Sequence, residues 1–361
     1  MEPDIRVEGL EKVFRVPERE AGLRASVRSL VRRTTRDVVA VGGIGFAVDP
    51  GEMVGFLGPN GAGKTTTLKM LSGLLFPSAG TVRVLGHVPS KREKDFLRRI
   101  TLVMGNRNQL QWDLPALDTY EMNRAIYRIP DADFRRTRDE LIELMEIGDQ
   151  VRKPVRQLSL GERMKAEITG ALLHSPQVLF LDEPTIGLDV TMQKRIRAFL
   201  ADYNARRGAT VLLTSHYMAD VQALCKRVIV IDRGSILYDG SLRALSTRFA
   251  QRQTITATIP DRAALESPGP PGSPGGLGSS GGLGSSGGLG SSGGPGSLGS
   301  LGSLGEVVSV DGDRVTLRVD KDRSAAVAGR LLAEHGVTDL TIEDPPVEDV
   351  IEQVLTAGAL T

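Results

Sequence analysis

The sequence has a single cysteine, Cys225, in 361 residues. It can form neither an internal disulfide nor a cysteine-rich metal site, which suits a reducing compartment. Excess charge is lacking too. Lys and Arg total 45 against 44 Asp and Glu, so the formal net charge is +1 and exerts no general pull toward nucleic acid. No run of about 18 apolar residues occurs, so no helix is expected to cross a bilayer. Any work at a membrane would be done from its surface or through a partner. The start Met1-Glu2-Pro3-Asp4 carries neither the basic residues nor the apolar core of a signal peptide, and none is expected.

Against these absences stands the stretch Gly58-Pro59-Asn60-Gly61-Ala62-Gly63-Lys64-Thr65-Thr66. It fits G-x-x-x-x-G-K-[ST], the phosphate-binding loop. The apolar run Met53 to Leu57 before it reads as a strand, and Thr66 to Leu75 after it reads as a helix. Glycines let the backbone wrap a phosphate with its N–H groups turned inward. The helix that follows adds its positive end. Lys64 would reach the β- and γ-phosphates, and the Thr65 hydroxyl would ligate Mg²⁺.

A second element fits the first. Val178–Leu181 is apolar and runs into Asp182-Glu183-Pro184, a buried strand ending in two carboxylates. Beside a phosphate loop, Asp182 would hold Mg²⁺ through water, and Glu183 would orient and deprotonate the attacking water. Strands expected at Thr210–Thr214 and Val228–Ile231 alternate with helices, which implies an α/β nucleotide-binding domain. From about 117 to 175 the pattern is helical. Within it, Ser159 reads as an N-cap with Glu162 three residues on, a capping box, at a helix end that could also hold an anion.

Other segments stand apart. Residues 17–37 carry Arg19, Arg24, Arg28, Arg32, Arg33 and Arg36 around an apolar stripe of Leu23, Val27, Leu30 and Val31. This is either a helix lying on a membrane surface or one packed on its own domain with solvated arginines. Phe14 is either a platform for a flat base or a core aromatic. Residues 267–305 are nearly all Gly, Ser, Pro and Leu and read as a disordered linker. Residues 251–266 and 306–361 then form a small α+β module, split by that linker, after a domain spanning 1–250.

In order and spacing, the loop 58–66, the stretch Leu158-Ser159-Leu160-Gly161-Glu162, the strand 178–183 and Ser215-His216 resemble the nucleotide-binding subunit of an ATP-binding cassette (ABC) transporter. The resemblance runs from residue 5 to about 245. It implies a P-loop cassette with a helical signature subdomain, beside the C-terminal module. It implies an ATPase using ATP and Mg²⁺, and a head-to-tail pair of cassettes, identical or paralogous. In that pair each ATP lies between one Walker loop and the other subunit's Ser159 and Gly161. Phe14 matches the adenine-stacking aromatic. Asp189, in Gly187-Leu188-Asp189, matches the loop that crosses the dimer interface. His216 matches the histidine that contacts the γ-phosphate.

Two departures stand out. The family's Mg²⁺-contacting glutamine falls on Asn106, with Gln109 three residues later, and the signature carries Leu160 in place of Gly and Glu162 in place of Gln. Glu183 and His216 are intact, so turnover is expected. A lone cassette with a small C-terminal module resembles the drug- and polymer-exporting branch. That implies an integral membrane permease as partner, a peripheral location on the cytoplasmic face of the membrane, and no nucleic acid. The rival readings are a soluble cassette ATPase acting on ribosomes or DNA, and a nucleotide switch with little turnover.

Overall fold

The computed structural model describes residues 2–17, 35–105, 109–249, 252–259, 301–345 and 347–358. Asn106 therefore lies outside the described residues, as do 18–34 of the basic segment and 267–300 of the Gly/Ser tract. Two compact units are present. One holds the described residues up to Leu245 and those from Ile351 on, and the other holds Ser246–Val350.

In chain order the first unit runs β1 (Ile5–Pro17), β2 (Thr35–Val48), β3 (Met53–Leu57), α1 (Lys64–Leu71), β4 (Ala79–Val84), α2 (Lys94–Leu97) and β5 (Ile100–Met104). Helices α3 (Ala116–Tyr127), α4 (Asp131–Met145) and α5 (Leu160–Leu172) follow. Then come β6 (Val178–Asp182), α6 (Val190–Arg207), β7 (Thr210–Thr214), α7 (Met218–Leu224), β8 (Arg227–Asp232) and β9 (Ser235–Ser241). Helix α8 (Leu242–Phe249) crosses into the second unit.

The main sheet has the order β5-β6-β7-β3-β8-β9; neighbours are parallel up to β8, and β9 is antiparallel to it. Strands β6 and β7 are buried at every position, as parallel strands covered on both faces must be. Their carboxyl ends, including Asp182 and Thr214, come out side by side, because the two are paired in register. A smaller antiparallel sheet, β2-β1-β4, packs its apolar side (Ile5, Leu10, Ile44, Phe46) into one core with Phe56, Leu68 and Phe180. Burial at about 25 cal/mol per Å² makes this shared core the main force holding the phosphate loop between the two sheets.

Four expectations shift in detail. Residues 38–41 and 44–48, whose apolar patterns each read as a separate strand, are one strand, β2, with irregular register against β1 near Gly42 and Gly43, where Gly43 has φ 80°. Pro17 pairs with Thr35, so the ends of the basic segment are strand rather than helix. The pattern on both sides of Gly86 reads as strand, but after it the chain enters a short 3₁₀ turn at Pro89–Lys91, since Pro89 has no N–H to give a sheet. The helical stretch breaks at Tyr127 and Met145, where Arg128 and Glu146 take the left-handed conformation as C-caps.

In the second unit, β10 (Arg252–Thr258), β11 (Glu306–Asp311), β12 (Arg314–Asp320) and β13 (Asp339–Glu343) form an antiparallel sheet of order β11-β12-β10-β13. Helix α9 (Lys321–Glu334) sends Val327 and Leu331 into the same core. Helix α10 (Val347–Gly358) divides between the units at Val350/Ile351, so the module expected at 306–361 ends earlier by compactness. The expected linker is also shorter at its end. Leu301 and Leu304 are buried in this core, because leucines three apart share one face of a helical turn.

Candidate functional site

The phosphate loop follows a buried, centrally paired strand. Val54, Phe56 and Leu57 of β3 are buried, and β8 flanks it. At Gly58, with φ 155°, a Cβ would lie 2.0 Å from the carbonyl oxygen of Ile231. At Gly63, with φ 109°, it would lie 2.5 Å from the oxygen of Ala40. Both neighbours are backbone and cannot give way as a side chain could. Gly58→Ala is therefore expected to cost about 2 kcal/mol or more of stability and to abolish nucleotide binding. Thermal melting and a nucleotide titration would check both effects.

The β8–β9 turn pins the loop from outside. Gly234 N–H donates to Ala62 O at 3.0 Å, and Gly42 N–H donates to Gly234 O at 2.9 Å. The resulting pocket, about 140 Å³, is lined by Ala40, the loop from Pro59 to Thr66, and Glu183. Lys64 sits inside with its Nζ donating to Gly58 O at 2.6 Å and to Pro59 O at 3.0 Å. Burial pushes the pKa of this ammonium down, while Glu183 and Asp182 push it up. A phosphate entering here would act in the same direction as those carboxylates, favouring the charged lysine.

Asp182 is held on both sides. Thr65 Oγ1 donates to its Oδ2 at 2.8 Å, and Thr214 Oγ1 donates to its Oδ1 at 2.7 Å. A hydroxyl and a carboxylate at the mouth of a phosphate loop fit a hard divalent ion. Mg²⁺ is commonly held by one or two carboxylates plus substrate phosphates, not by an all-protein cage. No cluster of three or more His, Cys, Asp or Glu that could hold a metal ion occurs among the described residues.

Glu183 follows with a left-handed backbone, φ 56°. This unusual conformation is locked by its N–H, which donates to Thr214 O at 3.0 Å and approaches Thr214 Oγ1 at 3.2 Å. Its carboxylate meets His216 Nε2 at 2.8 Å. Strand β5 comes close underneath. A Cβ on Gly105 would lie 2.2 Å from Glu183 O, so only glycine fits there. Thr214 and Gly105 are the participants that the sequence reading missed. Gly105 announced itself only as a glycine ending a strand.

Three expected residues lie elsewhere. Ser159 caps α5 with a complete capping box: Glu162 N–H donates to its Oγ at 3.3 Å, and its own N–H donates to Glu162 Oε2 at 2.9 Å. That backbone bond is the main reason the Glu162 carboxyl is held below its usual range. Asp189 caps α6 by accepting from Met192 N–H at 2.9 Å. Ser159 and Asp189 are exposed, and they share one patch, since Leu160 reaches over Gly187 and Met192 over Gly161. Phe14 is 37% exposed on β1 with Lys12 Nζ 5.2 Å from its ring centre. None of these lines the loop pocket.

Residues 41–186 match the ABC transporter family. The "ABC transporter ATP-binding protein NatA" of Bacillus subtilis is 35% identical over 208 residues, covering 58% of this chain and 84% of that protein. The chain belongs to the ABC transporter ATP-binding family. The "Nod factor export ATP-binding protein I" of Burkholderia orbicola is also 35% identical, over 65% of this chain and 77% of its own length. Residues 293–343 match the C-terminal domain of EvrA-like ABC transporters.

Solved structures agree on the fold. An ATP-binding subunit of an ABC transporter superposes with TM-score 0.56 at 23% identity, covering 68% of this chain and 92% of that one. A dimeric cassette in a post-hydrolysis state, bound to ADP and Pi, gives 0.55 at 22% identity, covering 66% and 99%. Family membership, not the fold alone, makes this cassette an ATP-binding and ATP-hydrolysing subunit of an ABC transporter, a class that pairs and works with membrane permease components. No helix among its described residues is long and apolar enough to cross a membrane.

Proposed function

We propose that this ABC ATPase drives export through a separate permease from the cytoplasmic face of the membrane, as one of two cassettes that share their ATP sites. The observation that carries the reading is the grouping of Lys64, Thr65, Asp182, Glu183 and His216 around one phosphate-sized pocket. Lys64 exchanges its bonds to Gly58 O and Pro59 O for phosphate oxygens. Thr65 and Asp182 would hold Mg²⁺, which would supply neutralising charge to the phosphates when bound. Glu183 aligns a water and takes its proton, and His216 holds Glu183 in place by donating from Nε2. The patch of exposed Ser159 and Asp189 with half-buried Gly161 supplies the opposite wall of the partner's site. Export is inferred from relatives named for it.

The coupling to the permease runs through residues 109–115. Trp112, Leu114 and Met122 are large apolar side chains left exposed near this loop, as a docking partner would require. The loop is bonded to the turn leading into Ser159. Arg156 N–H donates to Trp112 O at 3.0 Å, Val155 N–H donates to Leu114 O at 3.0 Å, and Arg156 pairs with Asp113 at 3.1 Å. A push on the loop therefore reaches the signature end. Trp112→Ala is expected to leave ATPase of the purified cassette within about twofold, and to lower permease-dependent transport about tenfold. Transport assays in vesicles carrying a permease that copurifies with the cassette would show this. Unchanged transport would exclude the loop as the coupling element.

A further inference from the structure

Asp220 is buried, 1% exposed, in the first turn of α7 and takes no direct part in binding or hydrolysis. Three groups from three different segments converge on its carboxylate. Thr185 Oγ1 donates to Oδ2, Ser215 Oγ donates to the same Oδ2 at 2.8 Å, and Arg197 Nη1 pairs with Oδ1 at 2.7 Å. Thr185 lies two residues past Glu183, in the turn whose next elements are Leu188 and Asp189; Leu188 N–H donates to Thr185 O at 3.3 Å. Ser215 immediately precedes His216. Arg197 is on α6, the helix that Asp189 caps.

The segments leaving β6 and β7 are thus joined by successive rungs. Thr214 bonds Asp182, His216 bonds Glu183, and Asp220 bridges Thr185 to Ser215. The first two contain groups that act on nucleotide. The third contains none, yet it fixes how far apart the other two segments stand. A buried carboxylate that lost one of these donors would keep its desolvation cost without the compensating bond, so the network holds a single arrangement.

We propose that Asp220 is a positioning residue that sets the Glu183–His216 contact and ties it to α6 and the 185–189 turn. Force from a partner cassette on Asp189 then reaches the hydrolytic pair of the same chain. This rests on the roles given above to Glu183, His216 and Asp189. Ion-pair loss would leave the part-buried Arg197 without this carboxylate, so the informative variants remove one hydroxyl and leave the Asp220–Arg197 pair intact.

In the full chain, Thr185→Val, nearly isosteric, should lower kcat for ATP about tenfold with KM within about twofold. Cooperativity in ATP should fall toward a Hill coefficient of about 1. Thr185→Ser, which restores the hydroxyl, should return kcat to within about twofold of the parent. Ser215→Ala should resemble Thr185→Val, and serves alone if Thr185→Val is not recovered folded. The double variant should be no worse than the poorer single, because both act through one carboxylate. The proposal is overturned by a kcat for Thr185→Val within twofold of the parent, by an equal loss in Thr185→Ser, or by losses that multiply in the double variant. Glu183→Gln assayed alongside separates the two levels. If it is inactive while Thr185→Val is normal, only this inference fails; if it turns over normally, the assignment of Glu183 fails and this inference with it.

Discussion

Replacing Glu183 by Gln is expected to lower steady-state ATP turnover by about 10²–10³-fold while ATP binding persists, so that a nucleotide-bound pair of cassettes accumulates. Gln has nearly the size and hydrogen-bonding shape of Glu, so the contact with His216 Nε2, now 2.8 Å, can survive as a bond to the amide oxygen. What is lost is the capacity to accept a proton, and general-base contributions are typically 10²–10⁴-fold. The left-handed backbone at Glu183 and its bonds to Thr214 involve main-chain atoms and are untouched. Phosphate release would measure the rate, and size exclusion with ATP would show the trapped pair. Turnover within twofold of the parent would remove Glu183 from the base role.

Lys64→Ala acts on the other half of the cycle. Its ammonium is buried in the loop pocket and donates to Gly58 O and Pro59 O. No side chain among the described residues takes these bonds, and nothing else in the pocket lining carries positive charge. Charge-assisted bonds to phosphate are the strong kind, worth about 1.5–3 kcal/mol each. Removing the lysine should therefore weaken ATP binding by about 100-fold, and more for ATP than for AMP, which lacks the β- and γ-phosphates. Fluorescent-nucleotide titration would read this directly. The fold should be nearly unaffected, since the two carbonyls at the loop mouth can turn to water. An equal loss for AMP would mean that the loop itself had collapsed.

The two variants separate binding from hydrolysis because the structure separates their sources. Lys64 belongs to the loop between β3 and α1, whereas Glu183 and His216 come from the ends of β6 and β7. Asp182 joins the two, since it accepts from both Thr65 and Thr214. The patch of Ser159 and Asp189, proposed above to face a partner cassette, is different again. Both side chains already cap helices, so contact with a partner's nucleotide must share them or displace those bonds.

Glu162 illustrates how a local departure from a motif is resolved by local bonding. From sequence it reads as an extra negative charge near a polyanion. In the fold its carboxylate turns back to the Ser159 N–H, and its charge is spent completing a capping box. Leu160 is likewise accommodated, lying 40% exposed across Gly187.

Much of this protein was legible in one dimension. The phosphate loop, the strand ending in Asp182-Glu183, the capped helix after Ser159 and the fully apolar strands were read from sequence, because each depends on contacts within a few residues: a glycine's dihedral freedom, a cap three residues away, a run that only a buried strand can use. What tertiary structure alone decided are the contacts between distant segments. His216 rests on Glu183, Thr214 and Thr65 share Asp182, Gly105 makes room for Glu183 O, and Leu301 and Leu304 complete a core begun before the Gly/Ser tract. These partners are 31 to 117 positions apart in the bonds to Glu183 and Asp182, so no local periodicity encodes them; they follow from which strands lie side by side and in what register.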